Sequence, residues 1–192
     1  MKKLIYINAC MREESRTQRI AEPIVGELSS RYDIETIRLD KTDFKPIDRD
    51  VLRERNVDYF VPEDIVNISK RIAAADRIVI AAPFWDMSFP SILKVFLENV
   101  SLFNITFTAD GSKCVGLCKC EKLMYITTRG MDIDTASDLE QATPYLKAIS
   151  HLWGLGELTV ISAQNMDFCS ANECEMKIRE AVERGVRVAG EW

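Results

Sequence analysis

Ser15-Arg16-Thr17 stands a few residues beyond the apolar run Leu4-Ile5-Tyr6-Ile7, at the distance where a helix should follow a strand. Hydroxyls, a guanidinium and the unbonded N–H groups of a helix N-terminus together suit an anion such as a phosphate. A second apolar run, Ile78-Val79-Ile80-Ala81-Ala82, stops at Pro83-Phe84-Trp85-Asp86-Met87-Ser88-Phe89-Pro90, an unusually aromatic loop. Its flat rings and adjacent backbone N–H groups suit a planar, electron-poor heterocycle. A third strand-like run ends at Thr128-Arg129-Gly130, which offers donors beside a residue that permits close approach. Each segment also has a plainer reading. Ser15 can be only a helix cap, and Phe84 and Trp85 can close the core or a subunit interface. Glu13 and Glu14 would repel a phosphate unless they point outward.

Parallel strands must position these loops. The pattern predicts strands at Lys2–Asn8, Ile34–Leu39, Arg77–Ala82, Leu123–Thr127 and Leu158–Ser162. Helices are predicted at 15–28, from Pro62 to about Ala75, from a Ser88 cap through Val100, from a Thr143 cap to Trp153 with a stop at Gly154, and at 173–189. Pro23 should kink the first of them. Asp40 to Phe60 reads as an irregular excursion at the sheet edge, and Thr106 to Glu121 as a loop. Strands alternating with helices imply right-handed crossovers and a parallel sheet covered on both faces. With strand order 2-1-3-4-5, the loops after strands one, three and four share one rim at the point where strand order reverses, where ligands bind.

The 192 residues suit a single domain, 1–192, able to bury a core on both faces of a sheet. A net charge of -5 without a basic block argues against nucleic acid, and no apolar run suggests a membrane span. The amino-terminal segment reaches Asn8 and Arg12 too soon for a signal peptide. The six cysteines are therefore expected as reduced thiols in the cytoplasm. Cys114, Cys118 and Cys120 match neither a paired zinc motif nor a ferredoxin run, so no metal is expected. His151, the lone histidine, falls on a predicted helix, where packing or surface exposure explains it.

Taken in order, Asn8-Ala9-Cys10 with Ser15-Arg16-Thr17, then Ala82 through Lys94, then Thr127-Thr128-Arg129-Gly130, resemble the flavodoxin-like NAD(P)H-dependent oxidoreductases. The branch most similar is that of the FMN-dependent NADH-azoreductases, related to the quinone reductases. The resemblance implies a flavodoxin-like three-layer α/β fold with a five-stranded parallel sheet. It implies that Cys10, Ser15, Arg16 and Thr17 meet the FMN phosphate, that Pro83, Phe84, Trp85, Asp86 and Met87 line the isoalloxazine, and that Thr128, Arg129 and Gly130 meet its pyrimidine edge. It further implies NADH or NADPH as donor, a quinone-like or azo acceptor, ping-pong hydride transfer and a homodimer whose partner completes the pocket. No acid/base residue is assigned. Cys10 stands where serine is usual, Asp86 where asparagine is common and Met131 where a second glycine is found; a carboxylate at Asp86 is expected to lower the flavin potential. The alternatives are an FMN electron carrier without an organic substrate, and a binding or sensor protein that has lost flavin.

Overall fold

In a computed structural model, which describes residues 1–192, five parallel strands form the sheet. They are β1 (Lys2–Asn8), β2 (Tyr32–Arg38), β3 (Arg77–Ala81), β6 (Lys122–Thr128) and β7 (Glu157–Ala163), in the order β2-β1-β3-β6-β7. Counting sheet strands alone, this is the expected 2-1-3-4-5. The two extra numbers belong to a separate antiparallel hairpin of β4 (Phe107–Asp110) and β5 (Lys113–Gly116).

Alternation along the strands builds both core layers. Leu4 and Tyr6 of β1, Val79 and Ala81 of β3, and Met124 and Ile126 of β6 face one side. There they meet Ile20, Ala21, Ile24 and Leu28 of α1 (Arg16–Leu28), and Ile178 and Ala181 of α6 (Ala171–Gly190). Ile5, Ile7, Ile78, Ile80, Leu123 and Tyr125 point the other way, as the two-residue period of a strand requires. They bury against α3 (Glu63–Ala74), α4 (Ser91–Val100) and α5 (Ala142–Trp153) through Ile72, Phe96, Leu97, Leu146 and Trp153.

Several expected boundaries move, each for a local reason. Within Asp40 to Phe60 lies α2 (Arg49–Asn56), capped by the Asp48 carboxylate, which accepts from Asp50 and Val51 N–H at 3.0 and 2.9 Å. None of its residues is buried, so it lacks the apolar stripe by which sequence betrays a helix. The expected loop at 106–121 holds the β4–β5 hairpin, whose four-residue arms are too short for alternation to register; Gly111, at φ 59°, turns it. Ser88 does not cap α4, because it closes a turn with Trp85; the helix starts three residues later, behind Pro90. Helix α1 continues through Pro23, which lies on its solvent face, where water can bond the carbonyl left without a partner.

The start of α5 is held by Glu140 instead of Thr143. The fully buried Glu140 accepts from Ala142 and Thr143 N–H, both at 2.9 Å, and from Ala136 N–H at 3.0 Å. Gly154, left-handed at φ 74°, ends the helix as expected. Helix α6 begins before Glu173, at a capping box between Ser170 and Glu173.

Close backbone approach constrains two glycines in opposite ways. A Cβ on Gly156 would lie 1.9 Å from the carbonyl oxygen of Glu121, whereas one on Gly26, inside α1, would meet nothing within 4 Å. Gly156→Ala is expected to cost about 1–3 kcal/mol as that backbone is pushed aside. Gly26→Ala is expected to stabilise by about 0.4–1 kcal/mol through the unfolded chain's lost freedom. Urea unfolding of the two variants checks both signs.

Candidate functional site

Helix α1 leaves β1 towards one face of the sheet, while α4 leaves β3 towards the other. Between the diverging loops lies a cleft of about 710 Å³, a volume usual for small-molecule sites. Its walls are Arg12–Arg16 and Arg19 after β1, Pro83–Trp85 after β3, Thr128 and Gly130 after β6, and Met166 and Asp167 after β7.

The first wall is the N-terminus of α1. Ser15, buried, caps it by accepting from Gln18 N–H at 3.3 Å. No hydrogen bond within the chain reaches the N–H groups of Arg16 and Thr17. These donors, the helix dipole and three arginines make this wall an anion cradle. Each arginine is tethered at the surface. Arg16 binds Asp167 at 2.7 Å, Arg19 binds Glu175 through both nitrogens at 2.9 and 2.6 Å, and Arg12 lies over the Trp85 ring at 5.7 Å. Arg16 and Asp167 are half-exposed, so their pairing is weak and can be exchanged for another anion. Glu13 and Glu14 are exposed at the cleft mouth.

Across from it, Trp85 and Ser88 exchange two backbone hydrogen bonds, at 2.7 and 2.9 Å, around Asp86 and Met87. Both central residues have positive φ, 48° and 66°, the conformation of a two-residue hairpin turn. Asparagine and aspartate tolerate it, which gives the residue type at 86 a backbone reason. The turn raises Trp85 into the cleft and turns Asp86 and Met87 away. Asp86 faces a neighbouring pocket shared with Trp85, Lys94 and Tyr145. The carbonyl of Met87 accepts from Gln141 N–H at 2.9 Å, which ties the loop to the segment held by Glu140.

Backbone bonds join the remaining walls. Phe84 N–H donates to Thr128, and the N–H groups of Asn165, Met166 and Asp167 donate to Met131, Arg129 and Gly130, all at 3.0 to 3.1 Å. A Cβ on Gly130 would lie 2.1 Å from the Asp167 carboxylate, so glycine lets these two loops close together.

Of the residues singled out by sequence, the cleft gathers Ser15, Arg16, Pro83, Phe84, Trp85, Thr128 and Gly130. Asp86 and Met87 turn away from it, and the others stand behind it. Thr17 is fully buried, its hydroxyl 2.7 Å from that of Thr128, which locks the first turn of α1 to the end of β6. Cys10 is buried with its thiol towards the Ala81 carbonyl at 3.7 Å; burial, opposed by a hydrogen bond with Ser15, pushes its pKa up to about 11. Arg129 is fully buried, donating to the Ile133 carbonyl at 2.7 Å and the Thr135 hydroxyl at 3.0 Å beneath the Phe84 ring. Burial lowers its pKa against the opposing charge of Glu140. Sequence reasoning missed Met166, Asp167, Arg12 and Arg19. The exit of the fifth strand onto the same rim was the available signal for the first two.

The residues fit a flavin mononucleotide: unbonded helix N–H groups and a guanidinium at one end of the cleft suit a phosphate, and an aromatic wall at the other suits a ring system. The flavodoxin-like fold model matches residues 2–187. The chain belongs to the flavodoxin-like fold family. Among flavodoxin-like relatives, the FMN-dependent NADH:quinone oxidoreductase of Clostridium perfringens is 31% identical over 208 residues, covering 98% of each chain. That of Clostridium beijerinckii is 32% identical over 201 residues, again covering 98% of each. Among solved structures, an azoreductase from Bacillus anthracis superposes with a TM-score of 0.85 at 17% identity over the whole of both chains. An FMN-dependent NADH-azoreductase from the same species, in complex with FMN, gives 0.82 at 22% identity, over 98% of this chain and 100% of that one.

Thr17→Val or Thr128→Val each strands one buried hydroxyl and should cost roughly 1–3 kcal/mol, while the double variant costs less than the sum; additive losses in urea unfolding would contradict the pairing. For Glu140, burial alone would raise the pKa. Hydrogen bonds from Thr143 and Ala136, with the charge of Arg129, outweigh it and hold the group below its ordinary 4.5. A depressed carboxylate contributes stability above its unfolded pKa and loses it as pH falls through the folded one. The stability gap between the parent protein and Glu140→Gln should therefore be largest near pH 7 and shrink below about pH 4.5. Unfolding curves at several pH values measure it.

Proposed function

We propose that this protein is an FMN-dependent oxidoreductase that takes hydride from NADH or NADPH and delivers electrons to quinone-like or azo acceptors. The observation that carries the reading is the unbonded first turn of α1 opening onto the same cleft as the Phe84–Trp85 loop. The Clostridium relatives, named as FMN-dependent NADH:quinone oxidoreductases, support it across almost the full chain.

FMN, when bound, would supply two-electron hydride chemistry, in ping-pong order, between a nicotinamide and the acceptor. The chain's residues hold and orient it. Ser15 and the N–H groups of Arg16 and Thr17 receive the phosphate, and the Arg16 guanidinium exchanges Asp167 for it. Pro83, Phe84 and Trp85 form the wall for the ring, with Arg12 packed on Trp85 and Arg129 beneath Phe84. Thr128 and Gly130, on the cleft wall after β6, would border the ring's polar edge. Cys10, Thr17 and Arg129 serve by fixing the loops, while Asp86 and Met87 shape the turn that raises Trp85. Such a division lets the polar groups be oriented before the reaction, which is where electrostatic stabilisation is most effective.

The second pocket, about 660 Å³ and lined by Trp85, Asp86, Lys94 and Tyr145 among others, adjoins the ring wall and is assigned to the acceptor. Met87 and Leu139 are both exposed, and the Met87 carbonyl is bonded to Gln141, two residues beyond Leu139. They supply an apolar edge on which a second copy of the chain completes that pocket as a homodimer. One domain spanning 1–192, acting in the cytoplasm, fits this reading; no helix is long and apolar enough to cross a membrane.

Titration of the apoprotein with FMN and with riboflavin, followed by flavin fluorescence, tests the phosphate assignment. FMN should bind more tightly than riboflavin, and Arg16→Ala should weaken FMN by about tenfold or more while leaving riboflavin nearly unchanged. Equal affinity of the parent protein for both ligands would contradict the reading.

A further inference from the structure

Two cysteines face each other where the chain enters α6. Ser170 caps this helix by accepting from Glu173 N–H at 3.3 Å, and the Glu173 carboxylate accepts in return from Ser170 N–H at 2.8 Å. Such a reciprocal box fixes the direction from which the chain arrives. The residue before the cap then packs against the fourth residue of the helix, usually as an apolar staple. Here those residues are Cys169 and Cys174. Their sulfurs lie 2.7 Å apart, and both are aimed at the Met166 carbonyl, at 3.8 and 3.2 Å. A disulfide closes at about 2.05 Å, so bond formation needs only a small approach.

No other two sulfurs in the chain are within hydrogen-bonding range of each other. Cys10 and Cys120 are buried against carbonyl groups, and Cys114 is exposed but solitary. The pair is also asymmetric in access. Cys169 is half-buried and reachable from solvent, while Cys174 is 9% exposed behind it. Contact with Cys169 and burial raise the pKa of Cys174, against the nearby charges of Arg16 and Lys177.

We propose that Cys169 and Cys174 are a reversible redox site, oxidised by a hydroperoxide to an intramolecular disulfide that makes the staple of α6 covalent. The Cys169 thiolate attacks one peroxide oxygen, the O–O bond breaks, and the leaving oxygen takes a proton to become water or an alcohol. Cys169 is then a sulfenic acid. The Cys174 sulfur, giving up its proton, attacks the sulfur of Cys169; the S–S bond forms, the S–O bond breaks and the hydroxyl departs as water. Two thiols lose two electrons, and the peroxide gains them. The disulfide ties the Met166–Cys169 segment, which carries one wall of the cleft, to the first turn of α6. The site stands on the helix entry alone and does not depend on which cofactor the cleft holds.

Trypsin releases Ala148–Lys177, a peptide containing Cys169 and Cys174 and no other cysteine. The full chain is reduced, desalted, treated with hydrogen peroxide, blocked with N-ethylmaleimide and digested. The proposal expects this peptide two hydrogens lighter than its dithiol form and unlabelled, before Cys114–Lys119, which holds Cys114 and Cys118, loses either of its two labels, with dithiothreitol restoring two labels to the first peptide. In Cys174→Ser, Cys169 should stop at the sulfenic acid and be trapped by dimedone. Retention of both labels, or oxidation of either sulfur to the sulfinic or sulfonic acid without the lighter peptide, overturns it. Failure of Cys169 to react with dimedone in the variant also overturns it.

Discussion

The divergence of the connections after β1 and β3 governs the rest of the molecule. The two strands pair in register from Leu4 with Arg77 to Asn8 with Ala81, yet the helices that follow must cover opposite faces of the sheet. No single loop can then close the gap above them, and the crevice left open is where such folds bind ligands. The alternating apolar residues of β1, β3 and β6 enforce the divergence. Ile5 and Ile7 need cover on one side while Leu4 and Tyr6 need it on the other, and a helix that stayed on the wrong face would leave one layer exposed. The cleft is thus a consequence of packing before it is a place of chemistry.

Polar groups are divided by depth in a way that suits ligand exchange. Deep groups are fixed: Arg129, Glu140 and the Thr17–Thr128 pair are buried and tied into the loops around them. Surface groups are held loosely, in exposed ion pairs such as Arg16 with Asp167 and Arg19 with Glu175, each worth little in water. An incoming anion can displace the second kind without disturbing the first. The positive φ values at Asp86 and Met87 follow the same logic. A strained turn is maintained because Gln141, anchored through Glu140, holds the Met87 carbonyl.

Sequence reading singled out segments that meet at one cleft because their main signals are local. Ser15 stands at a helix start, Phe84 and Trp85 end an apolar strand, and Thr128-Arg129-Gly130 ends another; alternation then placed all three on one rim. What it missed depends on contacts distant along the chain. Asp167 matters through Arg16, 151 residues away. Arg129 looked like a ligand-facing donor, whereas the fold buries it under Phe84 to secure 133–135, a destination no spacing reveals. The α2 helix escaped because none of its residues is buried, and the β4–β5 hairpin because its arms are four residues long. The Glu140 cap was hidden by Thr143-Pro144, a plausible helix start two residues inside the real one.

FMN held in the cleft against the Phe84–Trp85 wall is proposed to pass electrons from a nicotinamide to an organic acceptor seated in the adjoining pocket. An anaerobic visible spectrum of the FMN-loaded protein, recorded after stoichiometric NADH or NADPH and again after a benzoquinone, tests this transfer most directly. Rapid bleaching of the flavin bands by at least one nucleotide is expected, with their return on adding the quinone. A flavin that stays oxidised with both nucleotides, while dithionite still bleaches it, would overturn the proposed oxidoreductase and leave an electron carrier in its place.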